Sequence, residues 1–527
     1  MGKIARYLNQ LTIGNVFDSA DVLEAYSTDR SVLRIRPRIV ALPESTDDVR
    51  RLMRFCYQLA AKGIKIPVTV RGSGLDETGA DLGNGMILST EKLNRLLEAD
   101  RRERLVRVQA GITLKELNTA LSVNGLTIPV GGHEMETIGG LIANAPVDVY
   151  AGKYGGIMNY VEKIEVVLPN GDILQTLRLN ERGITKRANE KTFEGTIYKK
   201  VSEIVSGKDE MFKILRERKT GNAGYPRIAR AYAKGSLDLM PLFFGAQGTL
   251  GIVTEVILRA VPIEKTPRRV VATFEDFHEA EKFLDVAKSL KPLRLDIYDI
   301  NIIKTAEETG KRLSEITRRM TNGFVVYAEF NRRPSAALRK LAGMRAKMPK
   351  SSQLIIDSPK SAVTLDEFEN SLISFLNYTR TSERPAIVTD FYVPAHNMSS
   401  FINDLVVVGD GLKLDLAVYG SYSTENYHLR PKFNVEAEDF NKRATAFLRT
   451  GSFVIKRQGG ALTGGAPEGR IKAVVTNDQI ASDAREIYEQ IKTAFDPYGI
   501  MNPGVKLGAD ARYTLRHFRN ESAKITV

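Results

Sequence analysis

Cysteine is almost missing from this chain: one, Cys56, stands among 527 residues. A single thiol cannot close an internal disulfide, build a cysteine-rich zinc site or hold an iron–sulfur cluster. Cys56 also recurs at helical spacing with Val49, Leu52, Met53, Leu59 and Ala60, which makes it a small core residue rather than a nucleophile. Long apolar runs are missing too. No stretch approaches the ~20 residues needed to span a membrane, and the first residues lack the apolar core of ~7–15 residues that marks a secretory signal. The expectation is a cytoplasmic protein, with peripheral attachment to the inner membrane face left open. Internal repeats, low-complexity linkers and basic runs interleaved with aromatics are absent as well. The last absence matters because the net charge is +13. Lysine and arginine are spread along the chain, so the charge reads as a solvated basic surface and no nucleic-acid partner is expected.

What is present describes a folded chain too long for one core, so two domains or more are expected. Up to about residue 265, short β-rich runs at 66–70, 86–89, 105–110 and 164–168 alternate with helical patterns at 45–61 and 114–123. Ser45 or Thr46 caps the first helix and Gly63 closes it. The turn Pro169-Asn170-Gly171-Asp172 predicts a hairpin. After Pro262 the pattern changes. Strands at 269–274, 324–330, 353–357 and 386–393 are separated by longer helices such as 335–348, and a last helix at 481–495 ends in Asp496-Pro497-Tyr498-Gly499. The organisation expected is α+β: a first domain at 1–265 (core about 34–262), a second at 266–470, a returning segment at 471–510 and a basic tail at 511–527.

The chemistry concentrates in three glycine-rich turns. The first runs Arg71-Gly72-Ser73-Gly74-Leu75-Asp76-Glu77-Thr78-Gly79-Ala80 directly after a strand. Glycines there let amides turn inward into a nest for phosphate oxygens. The stretch matches neither the dinucleotide fingerprint, because Glu77 takes the third glycine position, nor the P-loop, because Ala80 stands where lysine belongs. By itself it is equally a structural turn. The second turn is Gly131-Gly132-His133-Glu134-Met135-Glu136-Thr137-Ile138-Gly139-Gly140, and the third Gly245-Ala246-Gln247-Gly248-Thr249-Leu250-Gly251-Ile252-Val253. Together they supply enough backbone donors for a pyrophosphate and a flavin edge.

These turns resemble those of the FAD-binding oxidoreductases of the vanillyl-alcohol oxidase type, with a PCMH-type FAD domain. Within that superfamily the likeness is to the branch of D-lactate, glycolate and D-2-hydroxyglutarate dehydrogenases. The likeness runs in order from Tyr26-Ser27-Thr28-Asp29 through Ala110-Gly111-Ile112-Thr113-Leu114 to Phe495-Asp496-Pro497-Tyr498-Gly499-Ile500-Met501-Asn502-Pro503-Gly504. It implies a two-part FAD domain, a cap that holds substrate, and a C-terminal segment returning to the FAD domain. It further implies that Arg71, Gly72, Ser73, Gly74, Leu75, Gly79 and Ala80 contact FAD, together with Thr137, Gly139, Gly140 and Asn144. Gly251, Ile252 and Val253 would neighbour the flavin or adenine, and Asn502 would pack near the flavin ring. Relatives with a histidyl flavin often carry that histidine in the first turn; here the position reads Gly72-Ser73-Gly74-Leu75, so FAD is expected to be noncovalent. His133 stands beside the cofactor on this reading, or is a loop histidine bonded to backbone.

The substrate side departs from the family. Its His-x-Gly-Asp-Gly-Asn-Leu-His signature appears as Ser421-Tyr422-Ser423-Thr424-Glu425-Asn426-Tyr427-His428, and its second, glycine-rich signature has Gly465-Ala466 in place of Glu-His. Two imidazoles and a carboxylate are gone, and a catalytic zinc usually needs three protein ligands, so no metal is expected. Asn426, His428 and Arg384 remain as catalytic candidates, His428 as a general base or as a hydrogen-bonded structural histidine. The leading expectation is an FAD-dependent dehydrogenase moving hydride from a small polar molecule, anionic or neutral, to flavin N5. Its electron acceptor would be a quinone, a protein or oxygen. An oxygen-using oxidase and a flavoprotein whose FAD is structural or whose cap binds a partner stand as alternatives.

Overall fold

The computed structural model describes residues 2–217, 223–233, 235–307, 320–378, 384–435, 437–465 and 468–519. They form two compact units. The first comprises Met1–Pro146, Gly156–Ile263 and Gly465–Phe518; the second comprises Val147–Gly155 and Glu264–Gly464 with the last residues of the chain. Val147–Gly155 thus groups with the second unit although it is numbered within the first 265 residues.

The first unit holds two sheets, each with its own core. In one, the strands run in the order Asn15–Phe17, Ile39–Leu42, Met86–Ser89, Val68–Arg71, and the last three are parallel. Helix Thr46–Ala61 covers it, capped by the Ser45 side chain, which accepts from the Asp48 amide. Val49, Leu52, Met53 and Cys56 of this helix are buried against Val68, Met86 and Leu88, as the 3.6-residue spacing requires. The second sheet is antiparallel, in the order Leu96–Asp100, Leu105–Gln109, Ile252–Arg259, Val161–Val167, Ile173–Gln175. The hairpin between its last two strands turns through Gly171 at φ 85°. Ile252 and Val167 lie in the first core while Val256 and Leu258 lie in the second. One strand therefore threads both cores, and the third glycine turn sits at its start.

The second unit is built on a seven-stranded antiparallel sheet. Its order is Leu354–Ile356, Arg268–Phe274, Phe324–Phe330, Arg294–Asp299, Leu416–Ser421, Asn426–Pro431, Val388–Tyr392. Three of these strands, Arg294–Asp299, Leu416–Ser421 and Asn426–Pro431, were not anticipated from the sequence. The expected tail also differs. Residues 511–516 form a helix capped by Asp510, and Phe518 is buried, bridging Leu33, so this part packs on the first unit rather than extending from its surface. Residues 520–527 of that tail lie outside the described residues.

Candidate functional site

The first glycine turn is shaped by close approach. Gly74 and Gly79 adopt φ 71° and 76°, a region side chains disfavour. A Cβ on Gly72 would fall 2.5 Å from Thr137 Oγ1, and one on Gly79 would fall 2.5 Å from Leu33 Cδ1. The back of the turn is held by the buried Asp76 carboxylate, which accepts from the amides of Thr78 and Ala80, each at 2.8 Å. The front is different. The amides of Gly72, Ser73, Gly74 and Leu75 have no acceptor among the described residues. Arg71 Nη1 is buried without a hydrogen bond, 4.0 Å from Asp81. Free amides beside a guanidinium fit a diphosphate, which brings only acceptors.

The second turn works otherwise than expected. Thr137 caps helix Ile138–Asn144 by accepting from the Gly140 amide at 3.1 Å, and the Gly139 amide donates to the Ala110 carbonyl at 2.7 Å. A Cβ on Gly139 would lie 2.9 Å from that of Ala110. These two glycines permit tight packing, and their amides are already engaged. Asn144 donates to Asp76 at 3.3 Å and accepts from Gln247 at 3.0 Å, which ties the second turn to the first and third. His133 accepts from the Met135 amide through Nδ1 at 3.2 Å, a bond local to its own loop.

In the third turn Gly251 lies against Val166, and Ile252 points into the core, so its side chain is not a cofactor wall. Val253 is half-buried against the larger core. The C-terminal segment closes the arrangement. Asn502, buried at φ 43°, donates to the carbonyls of Ala80 at 2.7 Å and Gln247 at 2.8 Å, and accepts from Thr69 and Arg470, both at 3.1 Å. All four hydrogen-bonding positions of its amide are filled within the protein, so it acts as a clamp on the turns. Gln247 Oε1 in turn accepts from the Gly469 amide at 3.0 Å, and the adjoining Glu468 makes a fully buried ion pair with Lys506 at 2.6 Å.

Sequence reasoning missed Gln247, Glu468, Arg470, Lys506 and a cluster of three buried carboxyls, Asp29, Asp76 and Asp81. Burial, then the charge of Asp81, holds the Asp29 carboxyl well above its usual range and pushes Asp76 up to about 6. Their signal was faint because a polar residue inside a glycine turn ordinarily faces water.

In the second unit, Arg384 is a structural tie rather than a catalytic group. It is buried, donating to Thr305 Oγ1 at 2.9 Å and to the Arg430 carbonyl at 3.0 Å, and pairing with Asp415. Asn426 and His428 share one face of their strand. Opposite them stand Ser421 and Tyr419, and beyond those Asp296 and Tyr298. Asn426 Nδ2 donates to Asp390 Oδ1 at 2.5 Å, and the Asp390 amide donates to His428 Nδ1 at 3.3 Å. That bond places the proton of the neutral ring on Nε2. The ring stacks on Tyr419 at 4.7 Å and 14°, and Tyr419 stacks on Tyr298 at 6.2 Å and 7°. Beside this row, Arg294 donates to Asp296 at 2.5 Å and to Tyr298 Oη at 2.7 Å. Glu425 is held by Lys288 and Tyr392, each at 2.9 Å. A Cβ on Gly464 would fall 2.0 Å from Asn426 Oδ1, which explains the glycine there. Ala466, at the second altered signature, lies outside the described residues.

Comparison with known proteins agrees with this architecture. The model of the FAD binding domain matches residues 37–177, and that of the C-terminal domain of FAD linked oxidases matches residues 263–505. The glycolate oxidase subunit GlcD of Bacillus subtilis is 26% identical over 90% of this chain and 90% of its own. A D-lactate dehydrogenase of Archaeoglobus fulgidus is 25% identical over 93% of this chain and 97% of its own. A D-2-hydroxyglutarate dehydrogenase of Pseudomonas putida is 23% identical over 91% of this chain, which spans 49% of that relative. Among solved structures, p-cresol methylhydroxylase superposes with a TM-score of 0.69 at 15% identity, covering 96% of each chain. The 4-ethylphenol oxidase of Gulosibacter chungangensis gives 0.66 at 16%, covering 94% of this chain and 95% of its own. With both halves of the architecture matched in order, the chain belongs to the FAD-linked oxidoreductases, in their hydroxy-acid dehydrogenase branch.

Proposed function

We propose that this protein is a dehydrogenase that removes hydride from a small polar substrate without a metal ion in its cap. The observation that carries the reading is the row Asp296, Ser421, Asn426 with its neighbour Tyr298, Tyr419, His428. It keeps two residues of the family signature and replaces one ligating position by Ser421. Glu425, the carboxylate within the signature, is already committed to Lys288 and Tyr392. FAD, bound noncovalently, supplies the hydride acceptor. Arg71 and the amides of Gly72 to Leu75 would hold its diphosphate, with Asp76, Asn144 and Asn502 keeping the turns in shape. His428 meets the substrate as a donor through Nε2, the proton released together with the hydride passing to solvent, and Asn426 fixes Asp390, which fixes the ring. Arg294, oriented by Asp296 and Tyr298 and paired also with Glu329, lies beside the same face.

The test is anaerobic flavin bleaching of the holoprotein against a panel of small hydroxy acids, alcohols and amines, with and without EDTA. Bleaching by one class, insensitive to EDTA, is expected. Strong EDTA inhibition reversed by zinc would overturn the metal-free reading. A flavin that no compound reduces would favour the structural-FAD alternative, to which the altered signatures also speak.

A further inference from the structure

Two antiparallel helices of the second unit, Met398–Leu412 and Phe440–Arg457, leave a large apolar pair in water. Their alignment is fixed at both ends. Arg457 and Gln458 reach Asp404, while Arg443 reaches the carbonyls of Leu412 and Lys413. Val407 lies three residues after Asp404 and Phe453 four before Arg457. At ~1.5 Å per residue these are nearly equal steps in the same direction, so the two side chains stand level across the helix pair. They are 71% and 63% exposed, and Val406 beside them is 60% exposed. Neither helix needs them for its own packing: Phe401, Leu405 and Val408 on one, Ala444, Phe447 and Val454 on the other, are buried.

The rim of this pair is cationic. Helix Phe440–Arg457 carries five basic residues and no acid. Arg449 and Lys456, both exposed, lie four residues before and three after Phe453, which puts them on the same helix face. The two acids of the facing helix are Asp404, already paired with Arg457, and Asp410. An apolar centre with a basic rim is complementary to the headgroup layer of an anionic bilayer, which accepts buried rings and valines at its boundary and attracts lysine and arginine. Two copies of the patch would bring like charges together. We propose that this two-helix shoulder docks on anionic membrane surfaces, with Phe453 and Val407 entering the headgroup region and Arg449 and Lys456 meeting lipid phosphates. The inference does not rest on the redox reading above.

The experiment is co-sedimentation of the full-length holoprotein with vesicles of phosphatidylcholine alone and of phosphatidylcholine mixed with phosphatidylglycerol. Binding to the mixed vesicles only, weakening as salt shortens the screening length, is expected. Arg449→Gln and Lys456→Gln should each lower the partition coefficient about fivefold, and Val407→Ser with Phe453→Ser should remove binding. All these positions are exposed, so unchanged thermal melting will show that the variants fold. Equal binding to neutral and anionic vesicles, no binding to either, or undiminished binding of the variants would each overturn the proposal. So would a dimer by light scattering that Phe453→Ser dissociates, since the patch would then belong to a second copy.

Discussion

The guanidinium of Arg71 occupies the space that a side chain on Gly74 would need: a Cβ built there would fall 2.3 Å from Nη2. Arg71 can therefore reach across the front of the glycine turn, where four amides await an acceptor. Gly74→Val should displace it and strain a residue at φ 71°, a backbone cost of about 1–3 kcal/mol. The expected product is a folded, colourless apoprotein. Arg71→Met, which keeps the turn but removes the charge-assisted bonds, should weaken FAD binding by about 10- to 100-fold, corresponding to about 1.5–3 kcal/mol. Visible absorbance after desalting reads both; full flavin content in Gly74→Val would refute the cradle.

His428 offers a sharper contrast. With Nδ1 accepting from Asp390, a glutamine whose amide nitrogen replaces Nε2–H keeps the donor but cannot take up a proton. If the ring acts as donor, His428→Gln should retain much of the rate of substrate-driven flavin reduction, while His428→Ala should lose ~10²-fold or more. Stopped-flow reduction under anaerobic conditions separates the cases. Equal, severe loss in both variants would restore the general-base role, and equal, undiminished rates would leave the ring a structural part of the tyrosine stack.

Asp29, Asp76 and Asp81 predict an unusual pH dependence. Below the ordinary carboxyl pKa of 3.8 both folded and unfolded chains hold the Asp76 proton. Between that value and about 6 the folded chain keeps a proton that the unfolded chain has lost, so stability falls as pH rises through this window. Asp29, also raised by burial and by the charges of Asp81 and Asp76, contributes in the same direction. The melting temperature of the apoprotein should thus decline between about pH 4 and about pH 6, and Asp29→Asn should flatten the decline. A melting temperature in the parent that climbs over the same range would contradict the raised carboxyls.

The Glu468–Lys506 pair is so deeply buried that its halves are unequal to its whole. Lys506→Met strands a carboxylate that also accepts from the Gly224 amide and from Thr476, and should cost about 3–5 kcal/mol in urea denaturation. Pairing it with Glu468→Gln should recover most of that. A loss under about 1 kcal/mol in the single variant would show that water reaches the pair.

How much of this was legible beforehand depends on where polar side chains go. The helix behind Ser45, the strand into Gly72 and the hairpin at Gly171 follow local rules of capping, alternation and turn chemistry, and all are found. The strand Arg294–Asp299 alternates as well, yet its polar face is buried in ion pairs with Asp296 and Glu329 instead of facing water. An apolar pattern cannot announce that. The strand bearing Asn426 and His428 is masked further by the irregular pairing of its neighbour near Asp390, which sits at φ 52°. In the cofactor region, glycines marked the turns correctly but not their purpose: Gly139 serves contact with Ala110, whereas the amides after Arg71 remain open. Gln247 and Asn502 acquire meaning only through partners hundreds of residues away.

That last separation has a temporal side. The side chain of Asn502 holds the carbonyl of Ala80, 422 positions earlier in the chain. At ~5–20 residues per second, a ribosome takes roughly 20–80 s to travel that distance. Through that interval the growing polypeptide displays its first glycine turn without the clamp that shapes it. Flavin loading is accordingly expected only after Asn502 has been synthesised and has closed on the turn.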